Sequence, residues 1–287
     1  MKDTVFSSEI TLNCQGILHE FSNPLIMGII NTTPDSFFDH SRKNSTTEII
    51  AQVSKFITEG VDIIDVGGYS SRPGAKDVSE AEELQRVLPA IKAIRIKFPA
   101  ILISIDTFRA TVAEKAILEG ANIINDISGG QAEPNIFKIS AKHNAPFIMM
   151  HMKGTPQNMQ KKTDYKHLIK DIILFFSKQI KLAKAQGVND IIIDPGLGFS
   201  KTLDQNYEII AKLELFKTLE HPILIGASRK SMLYNLLDIS ASESLNATSV
   251  INAISLMNGA NILRVHDIKE AVEAKLISSK VKNYTTV

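Results

Sequence analysis

Polar side chains suited to ligand chemistry follow short apolar runs along this 287-residue chain. Asp106, Asn125 and Asp194 each come at or just after the end of such a run. Their carboxylate and amide groups are the acceptors and donors that fit the nitrogen-rich edge of a heterocycle. Arg264 lies within the last run, and His266 directly follows it. The acids and the amide therefore predict a heterocycle site, and the two basic residues predict a neighbouring anion site.

A second basic segment, Gly226–Ser231, follows another apolar run and opens a helix-like stretch. Lys230 and the backbone N–H groups of a helix start suit a polyanion. The segment lacks the glycine spacing of a Walker A loop. The sequence around Ser228 begins like a nucleophile elbow but lacks the final glycine of that motif. We therefore expect a polyanion site without a P-loop and without a nucleophilic serine.

Each acid also has a purely structural interpretation. An Asp at a strand end is more often a helix cap or a turn former than a catalyst. Asp106, which precedes Thr107 and a helix, fits a cap, and Asp126 fits a turn. The position of these groups at strand ends is what favours a site, because barrel enzymes build their sites there.

The elements that must position these groups are short runs rich in Ile and Val. Such runs, apolar on both faces, are typical of buried parallel strands. We count eight: Leu25–Ile30, Ile63–Val66, Ile101–Ile105, Ile123–Asn125, Phe147–Met150, Ile191–Ile193, Ile223–Ile225 and Ile262–Val265. Helix-like stretches separate them, so the alternation predicts a (β/α)₈ barrel, with a doubly wound open sheet as second choice.

Three further segments carry local signals. Ser79 is expected to begin a helix with acidic residues in its first turn, and Gly187 to follow the end of another. The stretch between Tyr234 and Gly259 is long enough for an extra helix before the last strand. Residues 4–21 alternate polar and apolar types, which suggests a hairpin closing the bottom of the barrel.

Composition excludes several classes of protein. The chain has 32 Lys and Arg against 31 Asp and Glu, a net charge of +1, and 44% hydrophobic residues. This balance disfavours a disordered tail and a polybasic nucleic-acid binder. No run of about 18 apolar residues predicts a membrane helix. The N-terminus lacks the apolar core of a signal peptide.

The single cysteine, Cys14, excludes intramolecular disulfides and multi-cysteine metal sites. It is the basis for expecting a reducing, cytoplasmic location. Eight βα units account for the length as one domain over residues 1–287, with residues 1–24 as an N-terminal extension.

Eight ordered motifs resemble one known family. They are NTTPDSF, DVGGYSSRPGA, SIDT, NDISGG, MMHMKGTP, IDPGLGFSK, SRKS and RVHD, and they span about Leu25 to Glu273. Together they are similar to the motifs of dihydropteroate synthases. The resemblance implies a TIM-barrel homodimer that condenses 6-hydroxymethyl-7,8-dihydropterin diphosphate with 4-aminobenzoate. Mg²⁺ would assist, and sulfonamides would compete with 4-aminobenzoate.

The resemblance also implies roles for individual residues. The expected catalytic residues are Asp106, Lys230, Arg264 and His266. The expected pterin-binding residues are Asp106, Asn125, Met150, Asp194 and Lys230. The expected diphosphate-binding residues are Asn31, Ser71, Arg264 and His266. The residues expected to bind 4-aminobenzoate or to form closing loops are Pro34, Phe37, Ser71, Arg72, Pro73, Phe199 and Ser231. The metal ligands would be Asn31 and Asp35.

Three departures from the family pattern lie in the closing loops. Ser71 replaces a usual Thr, Tyr69 replaces a common Glu, and Phe38–Arg42 replaces Asp-Gly-Gly. They affect expected inhibitor sensitivity and loop kinetics more than the reaction. Two alternatives stay open at this point: a pterin-dependent corrinoid methyltransferase and a non-catalytic pterin-binding protein.

Overall fold

A computed structural model describes residues 10–32, 42–69 and 77–284 of the protein. A two-stranded hairpin comes first, with β1 at Ile10–Cys14 and β2 at Ile17–Phe21. Eight parallel strands follow: β3 Leu25–Asn31, β4 Ile63–Gly67, β5 Leu102–Asp106, β6 Ile123–Asp126, β7 Phe147–Met150, β8 Ile191–Asp194, β9 Leu224–Ile225 and β10 Ile262–Val265.

Nine helices occur in the described ranges: α1 Arg42–Glu59, α2 Glu80–Lys97, α3 Ala110–Leu118, α4 Ile136–His143, α5 Leu168–Ala185, α6 Leu203–Ala211, α7 Ser231–Leu237, α8 Leu245–Met257 and α9 Ile268–Lys282. Short 3₁₀ segments lie at Met159–Lys161 and Leu213–Leu219. The extra helix expected before the last strand is confirmed, because α7 and α8 both precede β10. None of these described helices has the length and apolar character needed to cross a membrane.

The strands close into a barrel. Their order is β8-β7-β6-β5-β4-β3-β10-β9, and a parallel bridge between Ile193 and Ile223 joins the two outer strands. The Ile193 N–H donates to the Pro222 carbonyl over 2.9 Å at this closure. The predicted (β/α)₈ barrel is confirmed, and the open sheet is excluded.

The hairpin closes the N-terminal end of the barrel. Ile10, Leu12 and Cys14 alternate with more exposed residues, and their side chains are buried. They pack against interior residues near the starts of the barrel strands: Leu25, Met27, Ile63, Leu102, Ile123, Ile148, Ile192, Leu224 and Ile262. The expected hairpin is confirmed. Because the hairpin covers the N-terminal end of the barrel, the C-terminal end is the one available for a site.

Local signals set the ends of two helices as expected. The Ser79 hydroxyl accepts a hydrogen bond from the Glu82 N–H and caps α2. Gly187 adopts a left-handed backbone with φ of 89° just beyond α5, and its N–H donates to the Lys184 carbonyl. Both devices satisfy backbone groups that a helix end would otherwise leave unpaired.

Candidate functional site

Strand register aligns polar residues at the mouth of the barrel. Asn31 pairs with Gly67, Gly67 with Asp106, and Asp106 with Asn125 across four neighbouring strands. Several strands extend one residue beyond their apolar runs and so include these polar residues. The register therefore places groups that are far apart in sequence in one row at the C-terminal face.

An ion-pair network crosses the mouth from β10. The Arg264 Nε donates to the Asp65 Oδ2 over 2.6 Å, and an Arg264 Nη donates to the Asp106 Oδ2 over 2.7 Å. The Asn125 amide nitrogen donates to the same Asp65 oxygen over 3.1 Å. Asp65 is fully buried, and Arg264 keeps a fifth of its side-chain surface exposed. One cation therefore holds two carboxylates from different strands.

The network perturbs the titration of both partners. Burial raises the pKa of Asp106 to about 7; Asp65, Glu83 and Asp126 also raise it, while Arg264 lowers it. Burial alone would lower the pKa of Arg264, but the two carboxylates raise it above its ordinary value. Arg264 therefore stays charged, whereas the charge of Asp106 responds to pH near neutrality.

The interpretation of Asp106 as a helix cap is wrong. Helix α3 begins at Ala110, and the capping position is Arg109, so Asp106 is not its cap. Asp126, in contrast, is confirmed as a turn former. Its carboxylate accepts from the N–H groups of Ser128 and Gly130, each over 2.7 Å. The difference arises because the turn after β6 folds back onto Asp126, while Arg264 reaches Asp106 from across the barrel.

The loop after β8 supplies a second acid and a second cation. The Asp194 Oδ1 accepts from the Gly196 N–H over 2.7 Å, and burial raises the pKa of Asp194. The Lys230 Nζ donates to the Leu197 carbonyl over 2.6 Å and lies 4.8 Å from the centre of the Phe199 ring. Burial lowers the pKa of Lys230 to about 8, and Asp194 opposes this shift.

A buried lysine ties this loop to the one after β7. The Lys201 Nζ lies within 2.9 Å of the Gly196 and Phe199 carbonyl oxygens and 3.1 Å from the His151 Nδ1. Burial lowers the pKa of Lys201 to about 7. The pKa of His151 lies well below its usual value, first because of burial and then because of neighbouring lysines. The Nδ1 of a neutral His151 can accept a hydrogen bond from the Lys201 amine.

Gly196 permits the close approach of these two loops. Its φ is 71°, and a Cβ there would lie 2.2 Å from the His151 carbonyl oxygen. Any L side chain at Gly196 would therefore be strained twice, by its backbone and by the contact.

An apolar wall lines one side of the mouth. Its buried members are Ile127, Met150, Met152 and Met159, with Phe108 and Phe199 packed against them. The wall contains Met150 and Phe199, two of the residues expected to contact the ligands. A flat heterocycle beside this wall would have apolar contact on its face and the acids at its edge.

Serine and basic groups surround the ends of β9 and β10. The His266 Nδ1 lies 3.0 Å from the Ser228 Oγ, which also accepts from the His266 N–H over 3.2 Å. Ser228 thus orients the imidazole. Ser231 is exposed at the first residue of α7, as expected. Arg229 points to Asp267 and forms two hydrogen bonds of 2.9 Å with its carboxylate.

Part of the expected site lies outside the described residues. The positions concerned are Pro34, Asp35, Phe37, Phe38, Asp39, His40, Ser41, Ser71, Arg72 and Pro73. Tyr69 is described: its ring packs edge-on against Phe108 at 5.1 Å, and its hydroxyl contacts Asp77 and Gln157. Tyr69 therefore lies beside the apolar wall.

Sequence reasoning does not identify two parts of the site. Asp65 lies within an apolar run, and its lone charge is a usable signal, because a carboxylate inside a fully buried strand requires a partner. Lys201 and His151 belong to two of the family motifs, but no local spacing links them, and their contacts arise from tertiary folding.

The Mg²⁺ requirement stays a prediction. Within the described ranges, no group of three or more His, Cys, Asp or Glu side chains is placed to hold a metal ion. Asn31 lies at the mouth, and Asp35 is outside the described residues. Mg²⁺ usually keeps several waters and binds one or two protein oxygens together with substrate phosphates, so one Asn31 oxygen fits such a partial ligand set.

A family model for pterin binding enzymes matches residues 27–266, from the first barrel strand to just beyond the last. The fold and the site therefore define a pterin-binding barrel enzyme.

Named relatives narrow this class. Dihydropteroate synthase of Synechocystis sp. is 46% identical over 247 residues, which cover 85% of each chain. The crystal structure of Yersinia pestis dihydropteroate synthase with a sulfonamide drug has a TM-score of 0.89 and 39% identity, covering 96% of this chain and 100% of that one. Xanthomonas albilineans dihydropteroate synthase with 4-aminobenzoic acid has a TM-score of 0.87 and 31% identity, covering 96% and 99%. The chain belongs to the dihydropteroate synthase family, and it is a transferase.

Proposed function

We propose that the protein condenses 6-hydroxymethyl-7,8-dihydropterin diphosphate with 4-aminobenzoate to give 7,8-dihydropteroate and pyrophosphate. The observation that carries this proposal is the position of Asp106, Asn125 and Asp194 at strand ends, with Lys230 and Arg264 at the same mouth of the barrel. This arrangement offers acceptors for a heterocycle and cations for a diphosphate at neighbouring positions. The named relatives, all dihydropteroate synthases, support the same reaction and disfavour a corrinoid methyltransferase.

In this proposal the pterin edge binds Asp106, Asn125 and Asp194. Carboxylates accept hydrogen bonds from ring N–H and amino groups, and burial strengthens those bonds because water does not compete. Met150 would contact the ring face from the apolar wall. Lys230 would donate to a ring acceptor.

The diphosphate would bind at the ends of β3 and β10. Arg264 and His266 are the described groups suited to it, with Asn31 nearby, and Ser71 is a further candidate from the sequence. Mg²⁺, when bound, would offset charge on the leaving pyrophosphate. Asn31 would contribute its amide oxygen to that ion, and Asp35 is proposed as a second ligand.

The chemistry places opposite demands on the two sides of the site. Cleavage of the bond between the pterin methylene carbon and the diphosphate oxygen leaves positive charge on the pterin and negative charge on pyrophosphate. Asp106 and Asp194 would stabilise the first charge, and Arg264 and His266 the second. The amine of 4-aminobenzoate then attacks the methylene carbon and loses a proton. This route needs no enzyme nucleophile, which agrees with Ser228 acting as a partner of His266.

The 4-aminobenzoate would pack against Phe199 and direct its carboxylate to Ser231. Pro34, Phe37, Arg72 and Pro73 are proposed to complete this part of the site. Sulfonamides are proposed competitors, since the Yersinia pestis relative is solved with a sulfonamide drug.

A homodimer is proposed from the exposed apolar side chains of two packed helices. On α8 they are Val250, Ile254 and Met257, and on α9 they are Leu276, Ile277 and Val281. Contiguous exposed apolar surface is typical of an interaction site. Sedimentation of the full chain would show a mass near twice 31.6 kDa if this is correct. A reducing, cytoplasmic location is proposed from the single cysteine.

The reaction is tested with purified protein, the pterin diphosphate, 4-aminobenzoate and Mg²⁺. Pyrophosphate and dihydropteroate should appear in equal amounts. Asp194→Asn should lose most of the activity, while Asp204→Asn, an exposed acid in the first turn of α6, should keep it. Pterin binding without product would instead indicate a non-catalytic binding protein and contradict the proposal.

A further inference from the structure

Asp65 is a buried carboxylate with no assigned role in the reaction. It lies in the middle of β4, and its side chain is fully buried. In register it lies between Ile29 of β3 and Ser104 of β5. Burying a carboxylate in this position costs free energy unless strong partners compensate the charge. The partners of Asp65 therefore indicate its role.

A single oxygen of Asp65 holds two residues of the proposed pterin and diphosphate sites. Its Oδ2 accepts from the Arg264 Nε over 2.6 Å and from the Asn125 Nδ2 over 3.1 Å. These donors come from β10 and β6, so Asp65 links strands on both sides of its own. Its Oδ1 is buried without a hydrogen-bond partner in the described structure.

The contact with Asn125 decides which end of that amide is available. The amide nitrogen is directed to a carboxylate, which accepts only. The Asn125 oxygen is therefore left as the acceptor for a ligand. Without Asp65 the amide loses the group that distinguishes its two orientations.

The contact with Arg264 fixes the plane of the guanidinium. Nε is held by Asp65 and an Nη by Asp106, so two carboxylates on neighbouring strands hold one rigid fork. Loss of Asp65 would leave Arg264 with Asp106 as its remaining carboxylate partner among the described ion pairs.

We propose that Asp65 is a positioning residue that orients Asn125 toward the pterin and holds Arg264 at the mouth of the barrel. This inference rests on the proposed function, because it assigns Asn125 and Arg264 to the substrate. Asp65 itself acts through these two side chains and is not a catalytic residue.

The charge of Asp65 also affects its neighbour Asp106. Burial raises the pKa of Asp106 most, Arg264 opposes this, and Asp65, Glu83 and Asp126 add to the increase. These groups face Asp106 from β10, β4, α2 and β6. Removing the Asp65 charge should therefore lower the pKa of Asp106.

The experiment compares Asp65→Asn with Ser104→Ala. The first keeps the shape and removes the charge; the second removes an unpartnered buried hydroxyl from the adjacent strand in the same register. Calorimetry with the pterin diphosphate measures binding without turnover. Asp65→Asn should weaken binding at least about 10-fold, while Ser104→Ala should bind within about 2-fold of the wild type.

Two further readouts separate positioning from a general loss of structure. The acid limb of pterin binding should move to lower pH in Asp65→Asn and stay in place in Ser104→Ala, because only the first variant removes a charge that raises the pKa of Asp106. The affinity losses of Asp65→Asn and Asn125→Ala should be less than additive when combined, because both act on the same contact.

The inference is overturned if Asp65→Asn binds like Ser104→Ala, or if its affinity loss is the same at every pH. If Asp65→Asn does not fold, Asp65→Ser is measured in the same way; failure of both to fold would assign Asp65 to stability alone and overturn the role. If the wild type binds the pterin without forming product, the proposed function is contradicted. The role of Asp65 is still tested in that case, because the comparison of Asp65→Asn with Ser104→Ala measures binding alone.

Discussion

Arg264 and Lys201 are two cations held in the same end of the barrel by different kinds of partner. Arg264 is paired with the carboxylates of Asp65 and Asp106. Lys201 has no carboxylate partner among the described ion pairs; its amine contacts backbone carbonyls and the His151 ring. Carboxylates raise the pKa of Arg264, whereas burial lowers that of Lys201 to about 7.

The difference shows that the type of cation and its partners together set the charge of a buried group. A guanidinium stays protonated in proteins, and the carboxylates of Asp65 and Asp106 compensate the cost of burying its charge. Arg264 therefore offers a fixed positive charge to an anionic ligand. The Lys201 amine contacts carbonyl dipoles, which compensate part of that cost, so burial lowers its pKa to about 7 and its contacts mainly join the loops after β7 and β8.

At a single pH near neutrality, the largest expected effect is at the carboxylate-paired cation. Arg264→Met should lower the free energy of unfolding by about 3 kcal/mol, because the fully buried Asp65 and the half-buried Asp106 would both lose their cation. Chemical denaturation at pH 7.5 measures the loss. A loss below about 1 kcal/mol would show that the carboxylates are not compensated mainly by Arg264.

The contrast between the two cations also explains what the sequence can predict. The barrel follows from local patterns, since each apolar run forms its strand without knowledge of distant partners. Asp106, Asn125 and Asp194 follow from one topological rule, that strand ends meet at one face. The rule predicts that these residues lie at the C-terminal face of the barrel, but it does not predict which side chains contact each other.

Asp65 and Arg264 are 199 residues apart, and their contact depends on how strands tilt and pair around the barrel. Lys201 depends on two loop conformations, including the positive φ of Gly196. Neither partnership has a local spacing that would reveal it. The structure was therefore needed to show that Arg264 holds the acids at the mouth as well as being suited to a diphosphate.

The second prediction concerns the carbonyl-held cation. The pKa of Lys201 falls from 10.5 to about 7 on folding, so between these pH values the unfolded chain binds a proton that the folded chain does not. Stability of the wild type should therefore increase with pH in this window, by at most about 1.4 kcal/mol per pH unit, and not depend on Lys201 below it. Lys201→Met should lack this increase.

The measurement is the unfolding free energy of both proteins at several values from pH 6 to 10. Lys212→Met is the control, because Lys212 is a surface residue paired with Glu208. An equal pH dependence in wild type and Lys201→Met would contradict the difference between the two cations.

A smaller effect is expected from the imidazole partner of Lys201. His151 is neutral when folded because its pKa lies well below 6.5, so the unfolded chain takes up an extra proton as pH falls through that value. The wild type should lose about 1–2 kcal/mol of stability between pH 6.5 and 5 through this residue. His151→Gln should lose less over the same range, measured by thermal or chemical denaturation. An identical acid response would show that His151 is not the group responsible.

The smallest effect is expected at a third cation, Arg229, which also pairs with a carboxylate but lies near the surface. Its two hydrogen bonds go to one carboxylate, Asp267, whose side chain is 20% exposed, whereas the Asp65 partner of Arg264 is fully buried. Water therefore already compensates part of the charge of this pair. Arg229→Met should cost about 1 kcal/mol of stability, and the cost should decrease in high salt. Pterin affinity should stay unchanged, since Arg229 points to Asp267. A loss equal to that of Arg264→Met would show that burial does not set the strength of these pairs.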